Sequence, residues 1–204
     1  MSACSESETH PQIITYIPVA TAQALGQLSA SSSSQPSITV ANSPENNQLV
    51  AVRVNGQPIL LEAYKKQVAR FEQALLEKQN HPNGQIEQTQ LTEIRRQVLE
   101  MLIEQVLLEQ EAQRLQVIIT KEELQAKTNE TMAAGGSDQF EAWLATNHFT
   151  RLEFAETLRA ELVAKRVFEQ LTQTISDNTA KQQFFQEWLA RQKSSARIER
   201  YVAL

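Results

Sequence analysis

The chain has 204 residues, a formal net charge of -5 and 41% apolar residues, which allows one ordinary domain with an appendage or two small domains. Acids and bases are interspersed rather than blocked, so the charge gives no reason to expect nucleic acid or an anionic membrane surface as a partner. Five Gly and six Pro leave little turn chemistry for an all-β fold, and the single cysteine, Cys4, excludes an intrachain disulfide and a cysteine-based metal cluster.

Residues 1–48 carry Ser29, the run Ser31 to Ser34, and Pro11, Pro18, Pro36 and Pro44. Such a stretch buries too little surface to offset its ordering entropy, which predicts a disordered leader or tether. The folded part is expected over 49–204. It opens with Val50-Ala51-Val52-Arg53-Val54, a β-branched run closed by Asn55-Gly56, which reads as a strand entering a tight turn. The comparable segment lies at the far end, where Arg197 to Val202 alternates with period two. The two ends of the domain are therefore expected to pair as a small two-stranded sheet.

Between them the pattern is helical. One helix is expected from about Leu61 to Gln79, with Tyr64, Val68, Phe71, Leu75 and Leu76 on one stripe and a stop before His81-Pro82-Asn83-Gly84. A second is expected from about Leu91 to Leu115, placing Ile94, Val98, Met101, Leu102, Val106, Leu108 or Glu109, Ala112 and Leu115 near one face. Thr120 to Glu123 has the spacing of a capping box and starts a short helix ending at Gly135-Gly136. Ser137 is the expected cap of a brief helix with Phe140, Trp143 and Leu144, and Thr150 to Glu153 is a second box that opens a long amphipathic helix. After Ser176-Asp177-Asn178, a third box at Thr179 to Gln182 precedes a helix carrying Phe184, Phe185, Trp188 and Leu189. The fold class is mainly α.

The order of these elements resembles a known family. The strand ending in Val54-Asn55-Gly56, the long helix through Leu99 to Leu108 and the segment Val117 to Leu124 resemble the N-terminal domain of SurA and its relatives PrsA and PpiD. The segments Phe140 to Leu144, Phe149 to Phe154 and Leu158 to Leu162 are similar to the helical block that follows in that family. Phe185 to Leu189 and Ala196 to Ile198 resemble its closing helix and strand. The resemblance implies a SurA-like helical chaperone domain. In those relatives a parvulin-type prolyl isomerase domain sits before the closing helix, whereas here only Ser176 to Asn178 fills that place.

The residues themselves suggest no catalytic site, cofactor or metal centre. His10, His81 and His148 share no ligand spacing, and Gly135-Gly136 lacks the Lys-Ser/Thr continuation of a phosphate loop. The aromatic residues Phe140, Trp143, Phe184, Phe185 and Trp188 are the candidates for contact with unfolded chains, with core packing as the competing role for most of them. Ser2-Ala3-Cys4-Ser5 is similar to the end of a lipobox, which makes Cys4 a candidate lipid attachment site; a tether of about 45 residues would reach roughly 35 to 40 Å from a bilayer.

The resemblance implies an ATP-independent folding factor outside the cytoplasm, in the periplasm or cell envelope. Its partners would be unfolded or exported polypeptides, and membrane contact would come only through Cys4. An adaptor docking one partner through its helices and a relative with residual isomerase activity are the alternatives, and a cytoplasmic setting goes with the absence of an upstream signal.

Overall fold

The computed structural model of the protein describes residues 49–78 and 84–203. The expected leader, with Cys4 and His10, the His81-Pro82-Asn83 turn and the expected helix end at Gln79 lie outside the described residues. The first described element is strand β1 (Val50–Val54), which turns at Asn55-Gly56 into β2 (Gln57–Leu60). Asn55 and Gly56 have φ of 52° and 87°. Positive φ at both central residues matches the right-handed twist of a hairpin, and Asn-Gly tolerates it best. On the other side, β3 (Ile198–Arg200) pairs antiparallel with β1, Val52 opposite Arg200 and Val54 opposite Ile198.

The ends of the domain therefore meet as expected, but the sheet has three strands in the order β2-β1-β3 rather than two. The additional strand is only four residues long and contains Pro58, a composition that weakens any strand signal. Pro58 is tolerated because β2 is an edge, where a missing N–H need not break a ladder.

Helix α1 (Leu61–Lys78) starts directly where β2 ends, and α2 (Gln88–Arg114) runs for 27 residues, about 40 Å. The expected single apolar stripe on α2 is too narrow. Leu99, Ile103 and Leu107 are buried along with Val98, Leu102 and Val106, and a helix apolar on more than one side must be covered from more than one side. The sheet and α1 cover the first part, with Val52, Val54, Ile59, Tyr64 and Val68 in one core. The last part, from Leu108 and Ala112, forms a second core with Val163, Val167, Trp188 and Leu189. Each fully buried Leu, Ile or Val contributes about 1.5–3 kcal/mol relative to exposure.

The remaining helices are α3 (Lys121–Gly135), α4 (Ser137–Thr146), α5 (Arg151–Leu171) and α6 (Asn178–Ser195). Their caps differ instructively from the expected boxes. At α5 the box is complete, Thr150 and Glu153 each bonding the other's backbone N–H. At α3 only half of it forms. The Thr120 hydroxyl accepts from the Glu123 N–H at 3.1 Å, but the Glu123 carboxylate accepts from Arg166 of α5 at 2.7 Å. At α4, Gly136 rather than Ser137 occupies the cap. At α6 the expected Thr179 box is replaced by Asp177, whose Oδ1 accepts from the Ala180 N–H at 2.8 Å. A carboxylate at the cap also meets the positive end of the helix dipole, which an uncharged Thr hydroxyl two residues further in does not.

Two polar clusters fix how the ends seat on α2. Gln110 of α2 donates to the Val54 carbonyl at 3.1 Å and accepts from Asn55 Nδ2 at 2.8 Å. Asn55 Oδ1 in turn accepts from the Arg197 N–H at 2.9 Å, so one turn residue ties hairpin, α2 and the return of the chain together. Nearby, Lys193 of α6 lies 2.7 Å from Glu100 and 3.1 Å from Glu104, and Arg200 lies 3.0 Å from Glu100. Burial would raise the Glu100 carboxyl, but hydrogen bonds from Lys193 and Arg200 and their charges outweigh it and hold it below its ordinary range.

Loss of the α6 cap in Asp177→Ala should cost about 1 kcal/mol in urea denaturation, whereas Thr179→Ala should change stability by less than about 0.5 kcal/mol. Equal losses would show that the sequence box, not Asp177, starts the helix. Because Glu100 titrates lower folded than unfolded, its stabilisation is present at neutral pH and fades as pH falls below about 4. Stability of Glu100→Gln measured from pH 6 to pH 3 should consequently decline less steeply than that of the parent, from a lower starting value.

Candidate functional site: an aromatic shelf beside a polar seam

The aromatic candidates separate into two groups. Phe184, Phe185 and Trp188 belong to the second core, where Phe185 stacks on Trp188 with ring centroids 5.6 Å apart and meets Phe168 of α5 edge-on at 5.2 Å. Trp188 is buried, and Phe184 and Phe185 are half-buried. Their i, i+1 and i+4 spacing turns them toward α5, so their apolar area is spent on joining α6 to the body of the fold.

The other group sits on α4. Phe140 and Leu144 are buried, one turn apart on the face that α4 turns inward, and Phe140 meets Phe154 of α5 edge-on at 4.9 Å. Trp143 is 45% exposed. Its indole stacks on Phe149 at 5.6 Å and lies edge-on to Phe154 at 5.9 Å. Thr131, Gln139, Phe140, Trp143 and Phe154 line a cavity of about 290 Å³ on this side of the molecule. It has an aromatic floor, a Thr and a Gln at its rim, and an exposed indole wall. Such a shelf offers apolar contact area with side chains already fixed by one another, so little side-chain entropy is lost when something binds.

Phe149 and Phe154 were not among the sequence candidates, yet they hold the exposed indole. They flank the α5 capping box at the residue before the cap and at the fourth helical residue, the positions used by a hydrophobic staple. That spacing is the signal by which they can be found. In the structure both rings turn to Trp143.

Beside the shelf runs a seam where α1 faces the corner between α4 and α5. Arg70 of α1 is its centre. The side chain is 9% exposed and Nη2 donates to the His148 carbonyl at 2.8 Å and to Glu153 at 3.1 Å. Its guanidinium lies 3.9 Å from the centroid of the Phe149 ring, a cation–π geometry. Lys66, one turn earlier, pairs with the same Glu153. Burial would raise the Glu153 carboxyl. Hydrogen bonds from Lys66 and Thr150 and the charge of Arg70 bring it down to about 2 instead, so it is ionised at any ordinary pH. Cavities of about 250 Å³ and 180 Å³ lie on the two sides of Arg70, the first lined by Glu62, Ala63, Lys66, Glu153 and Glu156, the second by Phe71, Ala74, Thr146 and Phe149.

At the seam the Thr150 hydroxyl also donates to the Glu153 carboxylate, at 3.0 Å, within the α5 cap. Among the described residues no three His, Cys, Asp or Glu side chains gather as metal ligands would. The shelf and the seam present apolar rings framed by paired charges.

Between α5 and α6 the chain has only residues 172–177, a connection with no room for an inserted domain. No curated protein matches the chain. Comparison with protein families matches residues 34–168 to the SurA-like N-terminal domain, a span that starts before β1, contains the shelf and the seam, and ends within α5. The mainly α fold, in which a long central helix is closed by a small sheet, agrees with it. With more than half of its length matched, the chain belongs to the family of SurA-like N-terminal domains, a chaperone-related family.

Proposed function

We propose that the protein is an ATP-independent folding factor that holds unfolded or exported polypeptides, taking apolar side chains of an extended segment on the α4–α5 shelf. The observation that carries this reading is Trp143, a large aromatic residue left 45% exposed yet fixed by two ring contacts. Folding ordinarily buries such a residue or leaves it free. An exposed and immobilised indole beside an apolar cavity is the arrangement of a contact hot spot.

Membership in the chaperone-related family supports the class of partner. It also supports an extracytoplasmic setting, in the periplasm or cell envelope. The reading requires no bond to be made or broken and no cofactor, in keeping with a surface built of rings and amide side chains. The direct α5 to α6 connection favours holding over prolyl isomerisation as the activity.

Trp143→Ala should weaken binding of an unfolded polypeptide by about tenfold and shorten the delay the protein imposes on aggregation of that polypeptide, with far-ultraviolet circular dichroism unchanged. Trp188→Ala is the contrasting variant. Removing this buried side chain should cost about 3 kcal/mol of stability through the cavity left behind. If Trp143→Ala delays aggregation as well as the parent does, the shelf is not the holding surface. A parent protein that neither binds unfolded chains nor delays their aggregation would end the folding-factor reading.

A further inference from the structure

The contact of α1 with the α4–α5 corner differs from the apolar contacts that α2 makes with its neighbours. The pairs that α2 makes with α1, α5 and α6 are closed by apolar side chains from the two cores. At the seam the ties are polar: Arg70 to the His148 carbonyl and to Glu153, Lys66 to Glu153, and the guanidinium over Phe149. Unfilled volume of about 250 Å³ and 180 Å³ lies to either side of them. Neither Phe140 nor Leu144 of α4 belongs to the two apolar cores, so α4 is seated chiefly through the shelf rings and α3.

Both ends of α4 have the backbone of a hinge. Gly136 before it has φ of 81° and His148 after it has φ of 53°. For Gly the left-handed region is nearly free, but for His it is held at some cost, and short terminal segments of this kind absorb the φ/ψ changes of a moving element. Arg70 grips the second of these points directly: it bonds the His148 carbonyl, covers the ring of the next residue, Phe149, and holds Glu153, which caps α5 immediately beyond. The Nε of Arg70 is buried with no acceptor among the described residues, so the closed seam does not use all of the guanidinium's hydrogen-bonding capacity.

We propose that α4 is a flap closed onto α1 by Arg70, which locks the His148–Phe149 hinge, and that release of this latch widens the shelf into a larger aromatic cleft. In the closed state the Phe149 face is covered by the guanidinium and only Trp143 stands open. In the released state Phe149 and the second seam cavity, with Phe71 and Ala74, join the same surface. Polypeptide binding then draws on the open form, and a segment that fills the widened cleft shifts the equilibrium toward it. This regulatory consequence rests on the polypeptide-binding reading of the shelf; the hinged motion itself does not.

The test separates the two. Hydrogen exchange of the full chain reports local opening as a fold-change in rate without any ligand. In Arg70→Met, which keeps a long side chain but removes the guanidinium, amides of α4 and of 147–149 should exchange about tenfold faster while those of α2 from Val98 to Leu108 stay as protected as in the parent. Unchanged exchange in α4 would overturn the latch, and equal acceleration in α4 and α2 would show a general loss of stability in place of a flap.

For the consequence, the two walls of the seam are joined by a short bismaleimide in a chain carrying Ala74→Cys, Thr146→Cys and Cys4→Ser. Reduced and carboxymethylated α-lactalbumin serves as a permanently unfolded polypeptide. The cross-linked protein should bind it about tenfold more weakly than the same variant left uncross-linked, and Arg70→Met should bind it more tightly than the parent. Equal binding by cross-linked and uncross-linked protein would overturn the regulatory role. If no form binds at all, the polypeptide-binding reading falls with its regulation, and the exchange data alone decide the flap.

Discussion

The structure depends first on the burial of α2. From Val98 to Leu108 this helix carries apolar residues on more than one side, and no single neighbouring layer can remove them all from water. Its first part is therefore covered by the hairpin, β3 and α1, and its last part by α5 and α6, which gives two apolar cores along one helical axis. The segments closest to the two ends of the folded region, β1 and β3, are brought together because both belong to the cover of the same helix. Short connections do the rest: α1 follows β2 without a linker, and residues 172–177 suffice to join α5 to α6.

Burial is non-directional, and the polar contacts supply the alignment that it lacks. Asn55, with its side chain shared between Gln110 and the Arg197 N–H, sets the hairpin against α2 and the returning strand in one step. Lys193 and Arg200 converge on Glu100 and Glu104 and fix α6 and β3 along the same helix. Their charges are partly solvated, so their value lies more in register than in net stability. The α1 seam uses the same device, with one difference. Elsewhere the polar ties accompany helix contacts closed by the two apolar cores, whereas around Arg70 they stand between two cavities.

That difference bears on the proposed function. A holding surface of the kind proposed would have to present apolar area to an unfolded chain, and the shelf fixes a small number of rings in a frame of charges. Trp143 is held by Phe149 and Phe154, those rings are held by the capped start of α5, and the cap is shared with Lys66 and Arg70 through Glu153. A single carboxylate thus serves helix start, interhelical tie and support of the shelf. It can do so because its neighbours keep it ionised.

The order of helices, the pairing of β1 with β3 and the Asn-Gly hairpin turn are written in local patterns: apolar spacing, β-branched runs and turn residues act over a few positions and are readable there. Local reading failed where another group took the place the pattern assigned. Glu123 has the spacing to complete a box with Thr120 but is taken by Arg166, and Asp177 displaces Thr179 as the start of α6. It failed also for β2, too short and Pro-containing to stand out alone, and for the second buried face of α2. The aromatic residues were identifiable in the sequence, but their division was not. Phe184, Phe185 and Trp188 face a neighbouring helix while Trp143 stays open, because helical periodicity gives the direction of a side chain relative to its own axis and not what the fold has placed opposite. Arg70 has no local signal at all: its partners at His148, Phe149 and Glu153 are more than seventy residues away, and only packing brings them to one point.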